Sequence, residues 1–305
     1  MNSIAAAAEV IVTKEHRRFA EFCDACRHYR YIGLCYGAPG VGKTLSARHY
    51  ANWPKVDAYW PFVWTAPALL HEIMGNTTVF YTPKVVNAPG HILRDIQALR
   101  ARLRALSWEA QRSQTAAAPR RPTPTDDRWG EPSLQQIFTR TAFMQEQLVQ
   151  AYLQNCLETA DPTRLLIIDE TDRLKPSGLE QIRDIFDVGD VGVVLLGMPG
   201  LEKRLARYPQ LYSRVGFVHE FRPLSAAEVH ALLGQRWHPP GVALPEEGWT
   251  DDTVLAAIIR ITGGNFRLLH RLLTQIARVV EINALSRVTQ EVVDAARESL
   301  VIGTT

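Results

Sequence analysis

Gly37, Ala38, Pro39, Gly40, Val41, Gly42, Lys43 and Thr44 follow the spacing G-x-x-x-x-G-K-[ST], which is suited to holding the phosphates of a nucleotide. Glycines at 37, 40 and 42 let the backbone curl until successive N–H groups converge on phosphate oxygens. Lys43 brings an ammonium that reaches the terminal phosphates, and Thr44 a hydroxyl that can ligate Mg²⁺. Far downstream, Leu165-Leu-Ile-Ile runs into Asp169 and Glu170. Four apolar residues ending in two acids read as a buried strand that delivers carboxylates at its C-terminal edge, where parallel α/β sheets bind ligands. There Asp169 would help to hold Mg²⁺ and Glu170 would polarise an attacking water. The plainer alternatives are a Gly-rich turn and a strand followed by an acidic helix cap.

These groups need elements to place them. Residues 32–36 form a short apolar run that reads as a strand, and residues 45–51 continue the loop as a helix whose N-terminus adds partial positive charge. Ahead of them, residues 13–30 read as an amphipathic helix with Phe19, Phe22, Cys23 and Cys26 on one face. Residues 53–78 have no clean period, and a strand follows over 78–82. Residues 90–112 read as a helix with Ile92, Ile96, Leu99, Leu103 and Leu106 at helical spacing. Arg100 and Arg104 share a face of that helix and are expected to stand exposed. They are candidate contacts to DNA phosphates; the alternative is a face that meets only water or neighbouring acids.

Residues 113–131 are Pro-rich and polar, a loop or insertion, and Ser133 with Gln136 opens a helix reaching about residue 159. A helix over 178–187, a strand over 191–196, a helix carrying Lys203, Arg204 and Arg207, and a fifth strand over 216–221 complete the alternation. From Pro223 the pattern is purely helical: 226–235, 250–262, 265–283 and 289–300.

Composition narrows the class. Of 305 residues, 46% are hydrophobic and 22% charged, as in an ordinary globular protein, and the net charge of +2 means that any basic surface must be local. No apolar run approaches the roughly eighteen residues that span a bilayer, and the N-terminus does not resemble a secretory signal. A cytoplasmic protein without a membrane partner is expected. Cys23 and Cys26 have the spacing of redox and zinc sites, but no second C-x-x-C follows, and both fall on the apolar face of a helix. They read as packing residues.

Phosphate loop, Asp-Glu strand, Arg-bearing segment and helical C-terminal module, in that order, resemble an AAA+ ATPase over about residues 19–300. The resemblance implies the α/β fold class: a P-loop AAA+ domain with a five-stranded parallel sheet over residues 1–222, with the N-terminal helix and a loop insertion near 113–131, then a small helical lid over 223–305. It also implies ATP and Mg²⁺ as cofactors, and a nucleotide lying between domain and lid as well as between subunits of a homo-oligomer. Gly37 to Thr44 matches Walker A, and Leu165 to Glu170 matches Walker B. Thr262-Gly-Gly-Asn-Phe-Arg267 looks like the "sensor 2" signature, which implies that Arg267 reaches the γ-phosphate from the lid. Arg214, just before the last strand, sits where the family places its inter-subunit arginine finger, with Arg204 and Arg207 as weaker candidates. One departure is the fourth strand's end, where the family's usual polar residue is replaced by Gly197 and Met198. Slow, regulatory hydrolysis is expected.

A narrower resemblance comes from Asp169-Glu-Thr-Asp-Arg-Leu174, Val194-Leu-Leu-Gly-Met-Pro199 and the stretch from Leu205 to Arg214. It is similar to the transposon-encoded target-selection ATPases, the group of TnsC, TniB and the Mu phage B protein. The likeness implies an ATP-bound ring or helical filament on double-stranded DNA, without strong sequence preference, that recruits a transposase and works with a target-site selector protein. The chain has no room for a sizeable helix-turn-helix domain before its first strand, so the ATPase domain itself would touch DNA. A helicase- or clamp-loader-type ATPase and a nucleotide-switched protein scaffold remain the alternatives.

Overall fold

The computed structural model describes residues 11–59, 72–115, 160–235, 237–239, 241–245 and 251–300. Its centre is one parallel sheet of five strands: β1 (Ile32–Tyr36), β2 (Thr78–Tyr81), β3 (Leu165–Ile168), β4 (Gly192–Gly197) and β5 (Val215–Glu220). The spatial order is β2-β3-β4-β1-β5. Strands β1 to β4 read as continuous apolar runs because helices cover both faces, and their residues are almost all buried. Edge strand β5 alternates between half-buried and exposed positions. The register places Tyr36 beside Gly197 and Ile168 beside Leu195, so the loops leaving β1, β3 and β4 meet at one edge.

Two helices flank the nucleotide-side strands early in the chain. α1 (Lys14–Tyr29) starts at Thr13, whose hydroxyl accepts from the His16 N–H, and buries Phe19, Phe22, Cys23 and Cys26. Burial pushes the Cys26 thiol up to about 12, as expected of a packing residue. Among the described residues no cluster of three or more His, Cys, Asp or Glu could hold a metal, so the C-x-x-C pair has no zinc partners there. Cys156 lies outside the described residues. α2 (Lys43–Tyr50) follows the phosphate loop.

The aperiodic segment after α2 contains a short helix, α3 (Trp53–Tyr59), anchored by buried Trp53; its remainder over 60–71 lies outside the described residues. α4 (Pro89–Thr115) buries Ile92, Ile96, Leu103 and Leu106 as its periodicity requires. Most of the Pro-rich stretch and the helix expected to reach residue 159 also fall outside. After β3, a 3₁₀ turn (Thr171–Arg173) leads to α5 (Pro176–Val188). α6 (Leu201–Leu205) and α7 (Pro209–Tyr212) connect β4 to β5.

A second apolar core gathers Leu224, Val229, Leu255, Ile258, Leu269, Leu273 and Val293 from α8 (Ala226–Gly234), α9 (Asp252–Thr262), α10 (Phe266–Ile282) and α11 (Gln290–Glu298). The capping box of Ser225 and Glu228 opens α8, and the Glu228 carboxylate also accepts from the Lys14 N–H at 3.1 Å. The first turn of α1 is thereby fastened to the helical module. No helix of the described residues is long and apolar enough to cross a membrane.

Candidate nucleotide-hydrolysis site

The loop from β1 to α2 turns through Gly40 at φ 84° and Gly42 at φ 111°, left-handed backbone that favours glycine. Gly40 has a second constraint. An added Cβ would stand 2.7 Å from Asn265 Oδ1 and 2.8 Å from Arg267 Cβ, so the loop and the lid touch there. The Lys43 ammonium donates to the carbonyl oxygens of Gly37 at 2.6 Å and Ala38 at 2.9 Å. Burial lowers the Lys43 pKa and the nearby Arg267 adds to that, while Asp169 and Asp172 act the other way. An incoming polyphosphate would offset this cost directly.

Across the cleft, Asp169 is buried at the end of β3, and its Oδ2 accepts from the Thr44 hydroxyl at 2.7 Å. Hydroxyl and carboxylate oxygens are hard donors, and together with phosphate oxygens and water they fit Mg²⁺. Glu170 follows at φ 48° and ψ 44°, which turns its side chain away from the strand direction. Its Oε2 lies 2.5 Å from an Arg173 guanidinium nitrogen.

The lid closes the cleft from above. In the signature from Thr262 to Arg267, Gly263 and Gly264 adopt φ 54° and 73° to end α9. A Cβ on Gly264 would collide with the Leu224 carbonyl oxygen, and the Gly264 oxygen accepts from the Leu224 N–H at 2.9 Å. Asn265 caps α10 by accepting from the Arg267 and Leu268 N–H groups, and its amide donates to the Pro39 oxygen at 2.8 Å. A cavity of about 690 Å³ results, with Gly40, Gly42, Lys43 and Thr44 on one side, Asp169 and Glu170 on another, and Arg267 above. The structure thus brings together the phosphate loop, both acids and the lid arginine.

Sequence reasoning passed over several groups at this cavity. Asp172 Oδ2 accepts from the Met198 N–H at 2.7 Å, and a Cβ on Gly197 would stand 2.7 Å from the same oxygen. A carboxylate from the 3₁₀ turn therefore occupies the place where the end of β4 lacks a polar side chain. Its signal was its position three residues after Asp169. Arg271, one helical turn beyond Arg267, also lines the cavity, as does His270. A smaller cleft of about 30 Å³ on the other side of the loop is walled by Ile11, Val41, Leu45, Phe221, Leu224 and Phe266 together with the polar Thr13, Glu15, Ser46 and Arg222.

The remaining predicted arginines lie elsewhere. Arg214 does not line its own chain's cavity. Its guanidinium pairs with Asp187 at 2.5 and 2.8 Å and also donates to the Gln210 carbonyl. Arg204 donates to the carbonyl oxygens of Asp172 at 2.9 Å and of Leu174, so it braces the 3₁₀ turn inside its own chain rather than reaching outward. Arg207 is exposed. Arg100 and Arg104 depart from the expectation of a free basic face: they lie 2.7 Å and 3.4 Å from Asp161 Oδ2, and only 26% and 20% of their side chains is exposed. Burial would raise the Asp161 pKa, but hydrogen bonds from Thr163 and the two guanidinium groups outweigh it and hold the pKa below the usual carboxylate value. Both guanidinium groups are thus paired with an acid of their own chain.

Comparison with known proteins agrees with this geometry. The AAA domain family matches residues 26–205. A Staphylococcus aureus protein described as a potential ATP-binding protein is 39% identical over 298 residues, covering 96% of this chain and 97% of its own. Among solved structures, the Thermotoga maritima RuvB Holliday junction branch migration motor aligns with TM-score 0.53 at 14% identity, over 95% of this chain and 70% of RuvB. The Aeropyrum pernix ORC2 protein, solved in ADPNP and ADP complexes, aligns with TM-score 0.51 at 15% identity, over 97% of this chain and 70% of its own. Both structures share the fold of the five-stranded parallel sheet and helical C-terminal part. With its phosphate loop, paired acids and lid arginine in one cavity, the chain belongs to the AAA+ ATPases.

Proposed function

We propose that this ATPase is an ATP-dependent regulator of DNA transposition, which assembles as a homo-oligomer on double-stranded DNA without strong sequence preference and presents the target to a transposase. The observation that carries the reading is the placement of Arg214, outside its own cavity and fixed by Asp187. A rigidly held arginine beside exposed Val188 and Tyr212 suits a site completed by a second copy. In that assembly one subunit would bind ATP between its loop and lid while the neighbour's Arg214 contacts the γ-phosphate, linking nucleotide state to oligomerisation. A Mg²⁺ ion held by Thr44 and Asp169 would neutralise charge on the phosphates. Glu170 would take part in hydrolysis by polarising water. The DNA-directed part is supported by the likeness of residues 169–174, 194–199 and 205–214 to target-selection ATPases and by the shared fold with a Holliday junction motor.

Negative-stain microscopy of the protein on plain duplex DNA tests the reading. Ordered rings or filaments with ATP, absent with ADP, are expected on unrelated DNA sequences. ATP-dependent assembly that ignores DNA would favour the protein scaffold, and the transposition reading would fall.

A further inference from the structure

We propose that Asp172 is a catalytic residue that orients the attacking water, a task for which β4 ends without a suitable side chain. At that end Gly197 offers no side chain, and Met198 offers a thioether, a weak acceptor. Asp172 lines the same cavity wall as Glu170, Gly197 and Met198. Its Oδ2 is fixed by the Met198 N–H at 2.7 Å, while Oδ1 has no hydrogen-bond partner among the described residues. Glycine and aspartate go together here. A Cβ at position 197 would stand 2.7 Å from Asp172 Oδ2 and 2.8 Å from the Leu201 side chain, so a polar residue on β4 and this carboxylate exclude each other.

The turn that carries Asp172 is set before any water arrives. Arg204 donates to the carbonyl oxygens of Asp172 at 2.9 Å and of Leu174, and the buried Thr171 hydroxyl donates to the Ile168 carbonyl at 3.1 Å. Burial lowers the Lys43 pKa and the Asp172 charge acts against it, so the carboxylate stands on the side of the cavity where Lys43 meets phosphate. A water whose two O–H bonds are both held presents its lone pair in one direction. Glu170 takes one of them, which rests on the role given to it above, and Asp172 Oδ1 takes the other. In the step itself the water oxygen bonds to the γ-phosphorus, and the bond to the β–γ bridging oxygen breaks with its electron pair leaving on ADP. The water's proton departs through Glu170; Asp172 keeps its hydrogen bond and takes no proton.

Asp172→Asn in the full chain is the deciding variant. Its amide oxygen must still accept from the Met198 N–H, so its NH₂ group turns a donor toward the water where an acceptor is needed. Steady-state kcat for ATP hydrolysis should fall about 10²-fold. ATP affinity, read by titration with a fluorescent nucleotide, should be unchanged or tighter, because a negative charge near the phosphates is gone. The melting temperature should stay that of wild type. Asp172→Ala also strips the Met198 N–H of its acceptor, so it should lose kcat to the same extent and melt lower. It serves as the kinetic test if the asparagine variant does not fold. A folded asparagine variant with wild-type kcat would overturn the proposal. So would a kcat loss that comes with weaker ATP binding or a lowered melting temperature, since Asp172 would then only shape the wall. Glu170→Gln measured alongside keeps the two assignments apart: hydrolysis that survives it removes the role of Glu170, while the Asp172 variants alone decide that of Asp172.

Discussion

The Arg267 backbone N–H donates to the Gly40 carbonyl at 2.9 Å, which joins the first turn of lid helix α10 to the phosphate loop through main chain. Asn265 adds its amide to the Pro39 oxygen at 2.8 Å. Docking of the lid therefore does not consume the Arg267 guanidinium, and Arg267 lines the cavity wall. Loop conformation, lid position and the cavity wall at Arg267 are set by one small group of atoms.

Gly40→Ala should disturb all three. The substitution forces a side chain into left-handed backbone, at about 1–3 kcal/mol, and drives a Cβ against Asn265 and Arg267. An ATP affinity loss on the order of tenfold is expected in a titration with a fluorescent nucleotide. Affinity within about twofold of wild type would show that the lid contact does not shape the site.

The Walker residues and the apolar strand before Asp169 were legible in the sequence because their chemistry is local: a fixed spacing, a glycine backbone, a short buried run. Arg267 was legible through the resemblance of Thr262 to Arg267 to the family's lid signature, whose two glycines and capping Asn265 turn the chain from α9 into α10. Asp172 was not, because its role depends on the register that sets β4 beside β3 and brings the Met198 N–H to it. The exposure expected of the α4 arginines misled for the same reason. Helical periodicity says which face is apolar, but Asp161 reaches that helix across a separation of 61 residues from Arg100.

Arg100→Ala with Arg104→Ala should accordingly act on stability. The depressed Asp161 pKa contributes stability above the unfolded carboxylate value, about 3.9, and that contribution is lost as pH falls through the folded value. Without its two cations the half-buried Asp161 loses much of this at neutral pH, so the melting temperature should drop by a few degrees, from about 1 kcal/mol. The salt dependence of DNA affinity should stay unchanged. A slope shallower by roughly one unit per lost arginine would instead make them phosphate contacts.

Acid should destabilise the fold through histidines as well. Burial lowers the His16 pKa, with His49 beside it adding to the effect, and burial also lowers that of His219 against the raising influence of Glu15. The unfolded chain then binds more protons below the ordinary histidine value, so stability falls as pH drops from about 7.5 to about 5.5. His16→Gln should flatten the melting temperature over that range. An equally steep curve in the variant would remove His16 from the explanation.

Thiol reactivity offers a check on the α1 core. Cys23, Cys26 and Cys35 are buried, and burial raises all three thiols, so native protein should resist iodoacetamide at these positions while denatured protein reacts. Mass spectrometry of native samples that finds Cys23 or Cys26 alkylated rapidly would contradict their packing role.

The most direct test of a site completed by a neighbouring copy is an ATPase mixing measurement. Glu170→Gln keeps the carboxylate's shape but removes the charge that polarises water, whereas Arg214→Ala leaves a competent pocket without its neighbour's guanidinium. Each alone should be strongly impaired, since an arginine finger in other phosphoryl-transfer systems is worth about 10³ to 10⁵ in rate. Mixed assemblies should recover part of the wild-type rate, because an Arg214→Ala pocket can then receive Arg214 from a Glu170→Gln subunit. Two folded, inactive variants that bind ATP, co-assemble and regain no activity at any ratio would contradict the shared site.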